Sequence, residues 1–351
     1  MNPLASVNLG GIIMNKKCLY TVLLMFIIIL ITTACNNKQN DQKQEVVFPP
    51  EIKENVIKVK KDTAKGFHWP YFLYIPDNIK YDPTPVIVIA NNTPQPDDNY
   101  SVHYNQARSK IIQYKHFSEE TGIPLLLCAL PRFKNEVPGT EALQQDAWLI
   151  SVQSLTRNAM LTNVETLKRI DLQVIAMIED AGEKLRNKGI KNTGKAIMFG
   201  FSSSGSFANR FTILHPELVE MEIAGAPGGW YTLPLASYKG TRLRYQVGIA
   251  DIEEIAGRSF NKESFSKIPK FFFVGSEDKD DAVPYLDSYT YEDRITIMEL
   301  FGKDHLKRYK TIEKIFKENK INLRFKIYKD TGHEISDKDW RDIFNFVEEN
   351  L

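Results

Sequence analysis

Four serines, Ser202, Ser203, Ser204 and Ser206, fall within five residues in the stretch MFGFSSSGSFANR, Met198 to Arg210. A hydroxyl becomes a nucleophile when a base takes its proton and the backbone presents it to a substrate. The stretch joins an apolar run, KAIMFGF, to SFANRFTILHPELV, which reads as a helix, so it reads as a sharp strand-to-helix turn. Such a turn exposes one side chain above the sheet, and the helix N-terminus favours negative charge developing nearby. The turn is crowded, so the residues two before and two after the nucleophile must be small. Ser203 fails because Phe201 is one of those neighbours. Ser202, Ser204 and Ser206 all pass. Position separates them: the strand ends at Phe201, and Ser202 stands directly after it. Ser202 is therefore the expected nucleophile, and Ser203 would offer its backbone N–H to an oxyanion.

A nucleophilic serine needs a base and an acid that orients the base. Downstream, KFFFVGSEDKDDAVPY supplies Asp278, Asp280 and Asp281, and LRFKIYKDTGHE supplies His333. Both groups follow apolar strands, so both are expected at C-terminal strand ends, where open α/β sheets place their sites. All three acids, Asp278, Asp280 and Asp281, are candidates, and counting back from Val283-Pro284 favours Asp280 or Asp281. A second oxyanion donor is expected in the loop ANNTPQPDD, from Asn92 or Thr93. Trp230 and Tyr231 suggest an aromatic wall for a substrate pocket, unless they merely fill the core. No HExxH, clustered Cys/His or acidic calcium loop occurs, so no metal is expected. No GxGxxG follows the first parallel strand, so no dinucleotide cofactor is expected either.

The elements that must position these groups alternate. Strands are expected in NVIKVKK, WPYFLYIP, PTPVIVIANN, IPLLLCALP, KAIMFGF, MEIAGAP, KFFFVGS and LRFKIYKD. Helices are expected over 101–122, 164–189, 206–219 and 337–351, the last with Asp337 as N-cap. This order predicts an α/β protein, a mostly parallel sheet with helices on both faces. The irregular stretch 228–270, between the sixth and seventh core strands, is expected as an insertion that faces substrate or forms a lid.

At this level the chain resembles the α/β-hydrolase superfamily. GFSSSG resembles its nucleophile elbow, with Ser204 in place of the usual second glycine. VGSEDKDDAVPY resembles its acid loop and TGHE its histidine loop. The resemblance spans about residues 55–351. It implies the triad Ser202, Asp278 and His333 in the superfamily's chain order, and attack on an ester carbonyl. Within the superfamily it is similar to small secreted esterases and to depolymerase-like and dienelactone-hydrolase-like groups. A serine peptidase on the same scaffold and a non-catalytic binding protein are the other readings.

The N-terminal residues carry a different signal. Lys16-Lys17 precedes an apolar run from Leu19 to Thr32, and Ile31-Thr-Thr-Ala-Cys35 follows. The run is shorter than the roughly 20 apolar residues that spanning requires. It reads as a secretory signal over 1–34 with a lipobox-like end, Cys35 being the lipidation site. Met14 looks like the more natural start, with residues 1–13 from an upstream start codon. Residues 35–50 read as a polar tether to a domain over 51–351. The expected setting is the bacterial cell envelope, on a lipid anchor facing outside the cytoplasm. A net charge of +1, without a charged block after residue 60, makes nucleic acid an unexpected partner. The expected partner is a small-molecule or polymer ester. Cys128, in LLLCAL, reads as an inert core thiol. Palmitate labelling of the expressed protein is expected to disappear in Cys35→Ala; unchanged labelling would rule Cys35 out as the anchor.

Overall fold

The computed structural model describes residues 55–135 and 149–351. Cys35 and the signal and tether segments lie outside these residues. Among the described residues no helix is long and apolar enough to cross a membrane.

Eight strands form one sheet: β1 (Val56–Val59), β2 (Tyr71–Tyr74), β3 (Thr84–Ala90), β4 (Leu125–Cys128), β5 (Asn192–Phe201), β6 (Val219–Gly225), β9 (Lys270–Gly275) and β10 (Leu323–Tyr328). A two-stranded ribbon, β7 (Ser237–Tyr238) and β8 (Thr241–Arg242), lies between β6 and β9 in the chain. The order across the main sheet is β1-β2-β4-β3-β5-β6-β9-β10. Within this sheet β1 with β2 and β2 with β4 are antiparallel and every other pair is parallel. The parallel strands carry apolar residues without a break because both faces are covered. Alternation along β5 sends Ala196 and Met198 to one face and Ile197 and Phe199 to the other.

Helices supply the cover. On the face of Phe199 lie α1 (Tyr100–Thr121), through Ile111, Tyr114 and Phe117, and the C-terminal helix, through Ile343, Phe346 and Val347. The opposite face packs on α3 (Ile170–Arg186), α4 (Ser203–Leu214) and α8 (His305–Glu318). The shorter helices are α2 (Arg157–Leu161), α5 (Ile252–Ala256), α6 (Lys262–Lys267) and α7 (Tyr291–Phe301); α9 (Asp337–Asn350) closes the chain.

Several boundaries moved from those the periodicity suggests, each for a local reason. The helix expected from 164 begins at Ile170, because Arg169 turns into the left-handed region at φ 45°. α4 starts at Ser203 rather than 206, directly on the turn. α9 is capped by Ser336, not Asp337: the Ser336 hydroxyl accepts from Asp339 N, and the Asp339 carboxylate accepts from Ser336 N, a reciprocal capping box. The stretch after β6 holds the ribbon, α5 and α6, and its apolar residues Trp230, Tyr231, Leu233, Leu243, Tyr245 and Val247 are buried.

The aromatic cluster under β5 anchors the strand that ends at Ser202. Phe199 is fully buried and meets Phe117 and Trp340 at ring-centre distances of 4.9 and 5.6 Å. Phe199→Ala is expected to destabilise the domain by about 3–5 kcal/mol, read as a lower urea midpoint. A loss under about 1 kcal/mol would show that the rings close the gap and that the cluster is not a rigid support.

Candidate active site

The turn after β5 is built by three glycines. Ser202 itself has φ 60° and ψ −129°, a conformation that costs a residue with a side chain of order 1–3 kcal/mol. Its N–H donates to Gly225 O at 2.9 Å, tying the turn to the end of β6. A Cβ on Gly200 would lie 2.0 Å from Ser204 O, and one on Gly205 would lie 2.6 Å from Gly225 O. Gly225 in turn has no room for a Cβ against the Phe273 ring. Only a chain without side chains at these positions lets α4 start so close to the sheet.

The four hydroxyls then separate. Ser204 Oγ is stapled within the turn, accepting from Phe201 N at 3.0 Å and donating to Phe201 O at 2.8 Å. Ser206 Oγ donates to Pro227 O at 3.1 Å. Ser203 Oγ and Ser154 Oγ share a hydrogen bond at 2.6 Å. Ser202 lines a cavity of about 410 Å³, together with Ser203, Asn92, Asp280 and His333. Among the described residues its hydroxyl has no hydrogen-bond partner, so it is the one left uncommitted at the strand end.

The acid and histidine loops are zipped to each other. A Cβ on Gly275 would lie 2.1 Å from Thr331 O, so the strand-end glycine admits the histidine loop's backbone. Glu277 N donates to Thr331 O at 2.9 Å, Ser276 N to Tyr328 O at 2.8 Å, and Asp330 N to Ser276 Oγ at 3.0 Å. This brings Asp278 Oδ2 to 2.9 Å from His333 Nδ1. Asp278 is 3% exposed, and its other oxygen accepts from Asp280 N at 2.8 Å. Asp281 is engaged elsewhere, in an ion pair with the buried Arg308. Of the three aspartates, Asp278 is thus the one bonded to Nδ1.

Asp280 has a different relation to the imidazole. Its Oδ2 lies 3.1 Å from His333 Nε2, the nitrogen on the opposite side of the ring. Burial lowers the imidazole's proton affinity, but the bond to Asp278 and the charges of Asp278 and Asp280 outweigh it, so the His333 pKa is raised. The ring is held at 4.7 Å from that of Phe201.

The loop after β3 is fixed by residues far from it in sequence. The Asn91 side chain donates to Leu130 O and accepts from Leu130 N. Thr93 N donates to Gln153 Oε1 at 2.8 Å, so Thr93 has no free N–H for an oxyanion. Asn92 lines the cavity. Ser203 is the first residue of α4, where backbone N–H groups have no acceptor within the helix. Asn92 and Ser203 both line the cavity with Ser202.

Two expected contributors are not in the cavity. Trp230 and Tyr231 are at most 1% exposed and fill the core. Tyr231 stacks on Phe272 at 4.0 Å and donates to Ala224 O, and Trp230 packs on Phe301 at 4.6 Å. From 228–270 only Gly228 reaches the cavity wall, so the segment is packed structure here and not a substrate-facing lid. Its aromatic richness serves burial. Cys128 is also buried, which pushes its thiol up to about 12. Of the other histidines, His215 Nε2 bonds to Asp171 Oδ2 at 2.8 Å inside the core.

Sequence reasoning missed much of the cavity's polar lining, including Arg132, Ser154, Arg210, Asp287, Ser288 and Tyr289. One signal was present. Ser203, Ser206 and Arg210 repeat at helical spacing along α4 and so share one side of it. Among the described residues no group of three or more His, Cys, Asp or Glu is arranged to hold a metal ion.

A carboxylate beside Nε2 favours the imidazolium, and a base must be neutral. In Asp280→Asn the pKa of His333 is expected to fall, moving the acidic limb of the kcat/KM profile for an activated ester to lower pH. A limb that stays in place or moves up would show that Asp280 does not act on the base.

No protein-family model and no curated protein matches the chain. Similar solved structures include poly(aspartic acid) hydrolase-1 from Sphingomonas sp. KT-1, at 16% identity and TM-score 0.52, covering 84% of this chain and 98% of that one. A poly(3-hydroxybutyrate) depolymerase from Bordetella parapertussis (17% identity, TM-score 0.49, 84% and 88% covered) is less similar in shape. So is an S-formylglutathione hydrolase from Agrobacterium tumefaciens (15%, 0.48, 84% and 95%). The sheet order, the strained serine turn and the shape shared with the Sphingomonas enzyme establish that this chain has the α/β-hydrolase fold.

Proposed function

We propose that the protein is a serine hydrolase that cleaves a carboxylic ester through an acyl-enzyme on Ser202. The observation that carries this reading is the set Ser202, His333 and Asp278: an uncommitted hydroxyl on a strained turn, in one cavity with an imidazole whose far nitrogen is bonded to a buried carboxylate. In the first half-reaction Ser202 Oγ bonds to the ester carbonyl carbon while its proton passes to His333 Nε2. The C–O bond to the alcohol then breaks, and the same proton leaves on the alcohol oxygen. In the second half-reaction water repeats the sequence and frees the acid and Ser202. Asp278 holds the imidazole in the tautomer with hydrogen on Nδ1 and stabilises its charged form. Backbone N–H groups of Ser203 and Asn92 would face the developing oxyanion, each such donor being worth about 2.7–4 kcal/mol in the transition state. Asp280 Oδ2 stands 3.1 Å from Nε2, so the imidazole must exchange that contact for the serine hydroxyl before it can act as base.

The lipobox-like sequence at Cys35 supports a place for this chemistry outside the cytoplasmic membrane, on a lipid anchor.

A fluorophosphonate probe is expected to label the folded protein and to fail on Ser202→Ala. Turnover of a short aryl ester is expected to drop by about 10⁴-fold or more in His333→Ala, with an unchanged circular dichroism spectrum. Labelling that survives in Ser202→Ala but vanishes in Ser204→Ala or Ser206→Ala would assign another serine. Near-normal turnover in His333→Ala would require another base.

A further inference from the structure

The cavity contains a buried cation for which the proposed reaction has no use. Arg210 is 1% exposed and lines the wall with one edge. It sits two turns along α4 from Ser203, about 10 Å along the helix axis. Helical side chains lean toward the N-terminus, which aims the guanidinium back toward Ser202's end of the cavity. Its partners are neutral. Nη1 donates to Ser154 O at 2.7 Å, Nη2 donates to Tyr289 Oη at 3.1 Å, and the guanidinium carbon lies 5.5 Å from the Tyr289 ring centre.

The carboxylates in the same region are each taken by another cation. Asp287 pairs with Arg132 at 2.8 Å, Asp281 with Arg308, and Asp293, which also feels the charge of Arg210 from beyond hydrogen-bond reach, lies 3.6 Å from Arg244. Asp280, the other cavity aspartate, faces His333. Among the described residues no carboxylate lies within ion-pairing distance of Arg210. Burying a guanidinium costs several kcal/mol, and neutral acceptors offset that only in part. The second arginine of the cavity, Arg132, also keeps an unused donor: its Nε is buried and has no hydrogen-bond partner. The cavity thus has a cationic pole displaced from the serine, with donor capacity left over.

We propose that Arg210, backed by Arg132, recognises a carboxylate on the substrate, making this a site for esters that carry a carboxylate a few bonds from the scissile carbonyl. The inference rests on the serine-hydrolase reading and names its substrate class. A carboxylate suits the position because its planar oxygens match the edge of a guanidinium, and because charge-assisted hydrogen bonds are stronger than neutral ones. A volume of about 410 Å³ suits a small monoester of a dicarboxylic acid, or one terminal unit of an acidic polymer.

The test compares matched esters that differ only in charge. On the acyl side these are mono(4-nitrophenyl) adipate and its methyl ester. On the alcohol side they are the butyrate esters of 4-hydroxybenzoate and of methyl 4-hydroxybenzoate. In at least one pair the wild-type kcat/KM is expected to favour the charged member by about ten- to a hundredfold. Arg210→Gln should abolish that preference and Arg210→Lys should retain part of it. No preference in either wild-type pair would overturn the proposal without any mutant, so a misfolded variant cannot shelter it. An undiminished preference in Arg210→Gln would overturn the assignment to Arg210. Fluorophosphonate labelling of Ser202 in the same preparations keeps the two readings apart: labelling with no charge preference removes only the anion site, and absence of labelling removes the hydrolase reading beneath it.

Discussion

Ser202 is held in a backbone conformation that its own side chain disfavours, and the rest of the site depends on that hold. The hydrogen bond from Ser202 N to Gly225 O and the absence of side chains at Gly200, Gly205 and Gly225 let α4 begin where β5 ends. A single methyl group at any of the three would meet a backbone or ring atom at under 3 Å. The strain, of order 1–3 kcal/mol, is sustained because the sheet below is packed on both faces. The buried strands β5, β6 and β9 are the frame, and the turn is their exposed consequence.

A second close approach does for the histidine what the first does for the serine. Gly275 admits the backbone of Thr331, and three hydrogen bonds join the acid loop to the histidine loop. The 2.9 Å contact between Asp278 and His333 is therefore a property of two parallel strands, β9 and β10, in register. Neighbouring aspartates in one short loop thereby acquire three different environments. Asp278 is buried on Nδ1, Asp280 stands in the cavity beside Nε2, and Asp281 neutralises Arg308. Equal residue types take unequal roles because the loop can place only one of them behind the ring.

The cavity is more polar than an esterase pocket built from the sequence's aromatic residues would be. Trp230 and Tyr231 were the natural candidates for its wall, yet burial against Phe272 and Phe301 claims them. Arginines and hydroxyls from separate parts of the chain take their place. Arg132 follows β4, Ser154 precedes α2, Arg210 lies on α4 and Tyr289 precedes α7. Such a wall offers charge and directed hydrogen bonds, whereas an aromatic wall would offer apolar area.

What the sequence determined by itself was periodicity, order and steric allowance. Uninterrupted apolar runs specify strands buried on both faces, and their alternation with helices specifies a parallel sheet. The order of serine, acid and histidine at strand ends, with Phe201 excluding Ser203, points to Ser202. These are local properties, read from neighbours along the chain. Which aspartate reaches the imidazole, that Thr93 gives its N–H to Gln153, and that Arg210 bonds only neutral acceptors were decided only by the tertiary structure. Each is a matter of which groups from distant segments arrive first at a shared partner, and a hydrogen bond or an ion pair made with one neighbour is withheld from every other.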